Sequence, residues 1–357
     1  MSVQRRVRLA DVAARAGVSR TTASYVLNGT SAQMRISAET EQRVRSAVME
    51  LGYRRNRSAL SLRTATTQTI GVISDFVATG HFASQMLRGA SAAARAQDHL
   101  IVIGETEGDP AVEIQMIEEM LDRQVDGIIY TTLVTAEVRV PAQLRERRAV
   151  LLNCVDPVAD LPAVLPDELA GGRSAADVLL AAGAGERVYV VGEEVNPHAI
   201  AGPQRVQGVE EALATAGTPL AGVVPCFWDV EPAYEAVTAW LATDVTPTAL
   251  VCLNDRIAMG TYQALAAHGL QVPSDVSIIS FDGSELAGWL RPALTSVRIP
   301  YAELGALAVQ TLLDPTAPTT VLRSPMTLLH GGSVSSARGY QSSGRQPTRT
   351  GAGRALR

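Results

Sequence analysis

Residues 9–28 read LADVAARAGVSRTTASYVLN, and this block decides how the rest of the chain is read. Leu9, Val12, Ala13 and Ala16 recur at i, i+3, i+4 and i+7, the spacing of one apolar helix face. Gly17 follows, the residue best suited to the left-handed conformation that ends a helix. Ser19 is a natural N-cap for a second short helix running to about Leu27, before the Asn28–Gly29 turn. The spacing therefore predicts two short helices joined at a tight Gly17–Val18–Ser19 turn. A third is predicted between its cap, Ser37, and Gly52, with Val44, Ala47, Val48 and Leu51 in one apolar stripe. So small a core is marginal alone, and a ligand, a partner subunit or a nucleic acid is expected to supply part of its order.

Charge separates this head from the remainder. Residues 1–63 hold 12 Arg against Asp11, Glu39, Glu41 and Glu50, whereas Arg323 to the end holds six Arg and no acid. With a net charge of −5 for all 357 residues, the middle of the chain carries −19. Every basic side chain is arginine, since lysine is absent. A basic head on an acidic body predicts that only the head meets a polyanion.

From Thr69 onward the pattern alternates between apolar strands and amphipathic helices. IGVISDF, LIVIGET, DGIIYT, AVLLNC, RVYVVG, GVVPC, ALVCLND and VSIISFD read as strands, with helices such as EIQMIEEMLDRQ and RVQGVEEALATAG between them. Continuous apolar strands, each followed by a helix, mean parallel sheets covered on both faces. At least eight strands in some 260 residues predict two lobes rather than one sheet. The fold class is thus α/β, with a small all-α head. Expected boundaries are a head over 7–63 ending in a polar, arginine-bearing connector at about 54–66, an α/β region over 68–335, and a disordered tail over 338–357, rich in Gly, Ser and Arg and without heptads.

Taken together, LADVAARAGVSRTTASYVLNG, SAETEQRVRSAVMELGYRRNRSALSLRT, TIGVISDF, VDGIIY, VCLNDRIAMG, VSIISFDGSELA and LTSVRIPYAELG resemble, in order and over about residues 8–335, the LacI/GalR-type bacterial transcription regulators. The resemblance implies a helix-turn-helix whose second helix enters the major groove. Arg20, Thr21 and Tyr25 fall where the family contacts bases; an arginine can donate twice to guanine, and a threonine methyl suits thymine. A phosphate contact is the plainer alternative for Arg20. Ser19, Thr22, Ser24 and Asn28 suit backbone phosphates that fix register, and Ala23 and Val26 suit the core. In the hinge, Leu62 matches the family's minor-groove wedge, with Asn56 and Ala59 beside it. Two departures stand out. Arg55 replaces a usual proline, and the stretch 29–36 is about three residues long beyond the norm, which offers Arg35 to an extra phosphate.

The same resemblance implies a sensor like the periplasmic sugar-binding proteins, two lobes closing on a ligand beyond the carboxyl ends of parallel strands. Asp75, Thr131, Asn153, Asn254 and Asp282 fall at such ends. Arg205, Asn254 and Asp282 match the polar trio that holds sugar hydroxyls, Trp228 an aromatic wall, and Phe82 the opposite wall. Asp255 and Arg256 are read as structural, opening a helix. For Asp282 a helix cap is the alternative, and for Gly171–Gly172 close helix–strand packing is favoured over a phosphate cradle.

Several classes are excluded or disfavoured. No run of 18 apolar residues suggests a membrane span, and MSVQRRVRLADV lacks the apolar segment of a signal peptide, so a cytoplasmic location is expected. Cys154, Cys226 and Cys252 are scattered and read as buried free thiols. The five histidines lie apart without metal-ligand spacing, and neither a Ser/His/Asp set nor paired acid/base carboxylates emerge, so neither cofactor, metal nor catalysis is expected. The function expected is a homodimeric regulator, a repressor, binding double-stranded operator DNA under control of a small effector, a sugar. A cytoplasmic carbohydrate-binding protein or carbohydrate-active enzyme with an incidental basic head, and an effector-independent architectural DNA binder, are the competing readings.

Overall fold

The structure, a computed structural model, describes residues 7–54, 66–77, 84–192 and 197–335. Asn56, Ala59, Leu62, Phe82 and the 338–357 tail lie outside the described residues. The chain divides into two compact units, Met1–Thr67 and Gln68–Arg357.

The first unit holds α1 (Leu9–Ala16), α2 (Arg20–Leu27) and α3 (Ala38–Leu51). Gly17 adopts φ 65° and the Val18 N–H donates back to the Ala13 carbonyl, which ends α1 and turns the chain within three residues. Ser19 and Ser37 cap α2 and α3 through the N–H groups of Thr22 and Thr40. Val12, Ala13, Ala16, Ala23, Val26, Val44 and Ala47 form the core, mostly small side chains that let three short helices approach closely.

The second unit contains two six-stranded sheets, each the floor of one lobe. The first combines β1 (Thr69–Ser74), β2 (Leu100–Glu105), β3 (Gly127–Glu137), β4 (Ala149–Val155), β5 (Ala163–Pro166) and β11 (Val321–Ser324), in the order β11-β5-β4-β3-β1-β2, all parallel. The second combines β6 (Val188–Val191), β7 (Gly222–Val224), β8 (Ala249–Cys252), β9 (Ser277–Asp282), β10 (Thr295–Arg298) and β12 (Thr327–Leu329), in the order β12-β10-β9-β8-β6-β7. Only β12 runs antiparallel there.

Helices cover the sheets: α4 (Ser84–Ala96), α5 (Pro110–Asp122), α6 (Ala142–Arg145), α7 (Glu168–Ala181), α8 (Ala201–Thr215), α9 (Val230–Leu241), α10 (Asp255–Ala267), α11 (Glu285–Trp289) and α12 (Tyr301–Leu313). The chain changes lobe three times, between β5 and α7, between β10 and α12, and between β11 and β12. Thus α12 buries Leu304, Ala308, Val309 and Leu312 against the first sheet although it follows a strand of the second. Beside these crossings Ala136 pairs with Ala199, and the N–H groups of Glu137 and Ile200 donate to the carbonyls of His198 and Thr135, each at 2.7 Å.

All eight strands read from sequence are present. Four more, β5, β10, β11 and β12, span three or four residues each, and prolines or polar residues break up the apolar run around them. Cys154 and Cys252 are buried, whereas Cys226 is only half-buried, because it sits in the loop after β7. Among the described residues no helix is long and apolar enough to cross a membrane.

The Gly171–Gly172 pair packs in two directions. Gly171 faces Met326 and Val297, the expected helix–strand contact, but a Cβ on Gly172 would overlap the Arg205 carbonyl oxygen of α8. Gly208 reciprocates against the Leu169 carbonyl. The two helices therefore cross backbone to backbone, and this crossing sets where Arg205 starts. Gly172→Ala is expected to cost about 1–3 kcal/mol, the range of overpacking. Gly288→Ala, where a Cβ meets nothing within 4 Å, should stay within roughly 0.5 kcal/mol. Thermal denaturation of the two variants side by side checks the contrast.

Candidate functional site

The outer face of the head is built around α2. Ser19 and Thr22 share a 2.9 Å hydroxyl contact besides the capping bond at 3.0 Å, so the helix start is closed by its own side chains. Arg20 and Thr21, the first two helical residues, are exposed, and Tyr25 one turn on is half-buried. Asn28 donates to the Ser24 hydroxyl at 3.2 Å. Ala23 and Val26 point into the core, as the apolar spacing requires. The four acids lie on α1 and α3: Asp11 accepts from the Arg8 N–H, Glu41 pairs with Arg45 and Glu50 with Arg15. No carboxylate stands on α2, and Arg20 forms no ion pair among the described residues. Arg35 is exposed, at φ 51°, in a loop closed by the Ile36 N–H on the Ser31 carbonyl.

Within the second unit, residues of both lobes line a cleft of about 920 Å³, at the upper end of small-molecule sites. Of the expected effector residues, Asn153, Arg205, Trp228, Asn254 and Asp282 line it; Asp75 and Thr131 are not among its lining residues. The reason is a bulge. Strand β3 runs on to Glu137, its register shifting between Thr131 and Ala136. Thr131 is consequently buried, its hydroxyl directed to the Met86 sulfur, and Leu133, Val134 and Thr135 reach the cleft instead. Asp75 holds this extension in place by accepting from the Leu133 N–H at 2.9 Å. Burial raises its pKa, against the pull of the N–H groups of Phe76 and Leu133.

Arg205 is the centre. Its Nε and Nη2 donate to the two oxygens of Glu168 at 2.7 and 3.0 Å, and Nη1 donates to the Leu253 carbonyl at 2.6 Å. Both charged groups are buried, and the guanidinium lies 4.8 Å from the Phe281 ring centre and 5.5 Å from that of Trp228. Three of its five N–H groups are thereby used. Glu168 was not anticipated; only its place at the start of a helix following a short strand could have flagged it.

The neighbours divide into braces and open groups. Asn153, at φ 61°, accepts from Thr135 and donates to the carbonyls of Thr132 and Leu133, which spends both its amide hydrogens on the bulge. Asn254 caps α10 through the Ile257 N–H at 2.7 Å and donates to the Trp228 carbonyl, keeping one hydrogen to give. Asp255 is fully buried and accepts from Ser280, Ser284 and Ser296, the structural role its position suggested. Arg256, in contrast, lines the cleft. Asp282 is not a cap, since Ser284 occupies the N-cap position of α11; it ends β9 at φ 104°. Burial, reinforced by Asp255 and opposed by Arg205, pushes its carboxyl up to about 8. Phe227 and Trp289, unforeseen, also line the cleft. Among the described residues no group of three or more His, Cys, Asp or Glu is placed to hold a metal.

A two-lobed α/β cleft joined by one chain to a helix-turn-helix head defines a ligand-responsive DNA-binding regulator. Comparison with known proteins agrees. Residues 8–56 match the bacterial regulatory proteins of the lacI family, and residues 176–334 match a periplasmic binding protein-like domain. The ribose operon repressor of Haemophilus influenzae is 31% identical over 310 residues, 85% of this chain and 90% of that protein. Catabolite control protein A of Priestia megaterium is 30% identical, covering 91% and 97%. The lac repressor dimer solved with operator and an anti-inducer superposes with a TM-score of 0.77 at 23% identity, over 93% of this chain and all of that one. A LacI family regulator from Enterococcus faecium with bound ribose superposes with a TM-score of 0.61 at 26% identity, over 75% and 98%. The chain belongs to the LacI family and is a DNA-binding regulator of transcription.

Two outcomes follow from the cleft. Arg205→Ala strands Glu168 as a buried unpaired charge, so it is expected to cost about 3–5 kcal/mol, with Glu168→Gln added on top restoring part of the loss. Denaturant unfolding of the single and double variants checks this. Asp282 ionises near 3.9 in an unfolded chain and near 8 when folded. From about pH 4 to pH 8 the unfolded state thus loses its proton first, and this group's contribution to stability falls as pH rises. Asp282→Asn removes that loss. Its thermal midpoint should match wild type near pH 4 and exceed it increasingly toward pH 8, as melting curves across that range would register.

Proposed function

We propose that the protein is a repressor that binds a near-palindromic operator as a homodimer and changes its affinity when a sugar enters the cleft. The observation that carries the sensing half is the junction of Arg205, Asn254 and Asp282 beside Trp228. Two guanidinium hydrogens, an amide hydrogen and a carboxyl border one space with an aromatic wall, a set suited to a polyol with polar edges and an apolar face. The repressors and the ribose complex among the relatives support the same assignment. In the head, Arg20, Thr21 and Tyr25 are the base-reading candidates; Ser19, Thr22, Ser24 and Asn28, with Arg35, serve phosphates. Asn56, Ala59 and Leu62 are assigned to the hinge on sequence alone.

Dimerisation is favoured by the edge strand β2, which leaves Leu100, Val102 and Ile103 exposed; such an apolar edge calls for a covering partner. One helix-turn-helix spans few base pairs, so two half-sites about one helical turn apart supply specificity. The protein works in the cytoplasm, where the operator is, and acts as a regulator rather than an enzyme, as the repressors among its relatives do.

Operator binding measured with and without a sugar found by thermal-shift screening tests the whole reading. Arg20→Ala should cost on the order of 1–3 kcal/mol at one base position and little on unrelated DNA. Asp282→Ala should bind operator near normally and no longer respond to sugar, whereas Leu62→Ala should weaken operator binding with sugar affinity intact. Equal loss on specific and unrelated DNA would make Arg20 a phosphate contact, and a normal sugar response in Asp282→Ala would move the pocket elsewhere.

A further inference from the structure

The chain is poor in aromatic side chains, with three Trp and four Phe among 357 residues. Two of those tryptophans, Trp228 and Trp289, and one phenylalanine, Phe227, line the cleft. Trp228 is half-buried beside Arg205, as an inner wall should be. Phe227 and Trp289 behave differently: they are 66% and 68% exposed. Neither stacks on another aromatic ring among the described residues. Phe227 stands in the loop between β7 and α9, and Trp289 ends α11, so two separate segments of the same lobe bring large apolar faces to one opening. Holding two such side chains in water has no packing return, and exposed apolar groups gathered at a cleft mark a binding surface.

Size points the same way. Even at the ~30 Å³ a water molecule occupies in the liquid, the twelve heavy atoms of a hexose fill only about 360 Å³, and the 23 of a disaccharide about 690 Å³. The cleft holds about 920 Å³. The cleft thus has room for more than the one sugar unit that Arg205 and Asp282 would hold.

We infer that the effector is an oligosaccharide of two or more units, whose outer unit stacks on Phe227 and Trp289 while the inner unit occupies the polar pocket beside Trp228. This rests on the sugar-sensing reading above. A pyranose ring offers an apolar C–H face and a rim of hydroxyls. Flat aromatic faces take up the first and leave the second to water or to the arginines lining the cleft, Arg88, Arg256 and Arg298. The outer contact is apolar and made by side chains other than the inner trio, so it adds affinity without changing which hydroxyls the inner site reads.

Titration of the full-length protein, followed by tryptophan fluorescence and calorimetry, tests this with ribose, glucose, galactose, maltose, cellobiose and lactose as probes. At least one disaccharide is expected to bind ten-fold or more tightly than either of its monosaccharides. Trp289→Ala and Phe227→Ala, both at exposed positions, should reduce that ratio to below about three while changing monosaccharide affinity less than two-fold. Thermal melting of the free variants should match wild type. A monosaccharide that binds as tightly as every disaccharide would overturn the inference and leave sugar sensing standing. No binding by any probe of either size would overturn both. An unchanged disaccharide ratio in the two variants would also overturn it, and would assign the exposed rings to a protein partner.

Discussion

The ion pair between Arg205 and Glu168 is the interaction on which the sensor depends. Both charges are withdrawn from water, and the loss of hydration is offset only because two parallel hydrogen bonds and a third to Leu253 are all made at 2.6–3.0 Å. Glu168 begins α7 immediately after the chain has crossed from one lobe to the other, and Arg205 rises from α8 at the point where Gly172 allows the two backbones to touch. A long, flexible side chain is thereby fixed in one orientation by contacts from a crossover, a helix crossing and a strand end. The guanidinium is then pre-set for a ligand, which pays little further ordering cost on binding.

Around that pair the cleft divides labour unevenly. Asn153 and Asp75, polar residues at strand ends, spend their bonds on the extension of β3 and so shape the wall rather than offer groups to a ligand. The extension also meets the segment before α8 through the Thr135–Ile200 and Glu137–His198 hydrogen bonds, which link the lobes beside the cleft. A movement of one lobe against the other must therefore work on the same strand that carries Thr135, whose hydroxyl lies within 3.1 Å of Glu168.

The head follows a different logic. Its core is made of alanines and valines, so its helices are placed by caps and turns as much as by buried area. Acidic side chains are confined to α1 and α3, where Asp11, Glu41 and Glu50 are capping or paired, so none stands on α2 beside Arg20. That arrangement favours any duplex through its phosphates, with Arg20 and Thr21 exposed at the helix start.

Sequence by itself determined the elements whose signals are local. The three head helices and their caps follow from serine, glycine and apolar spacing within a few residues, and eight of the twelve strands follow from continuous apolar runs. The family resemblance, rather than spacing or composition, pointed to Arg205, Asn254 and Asp282. Tertiary structure alone decided the rest. Short strands such as β5 and β10 are held by neighbours in the sheet rather than by their own composition. The bulge that buries Thr131 and presents Thr135 arises from pairing across β3 and β4, which no spacing along one strand reveals. The partner of Arg205 lies 37 positions away in the chain, and only the packing of α7 on α8 brings the two charges within a hydrogen bond.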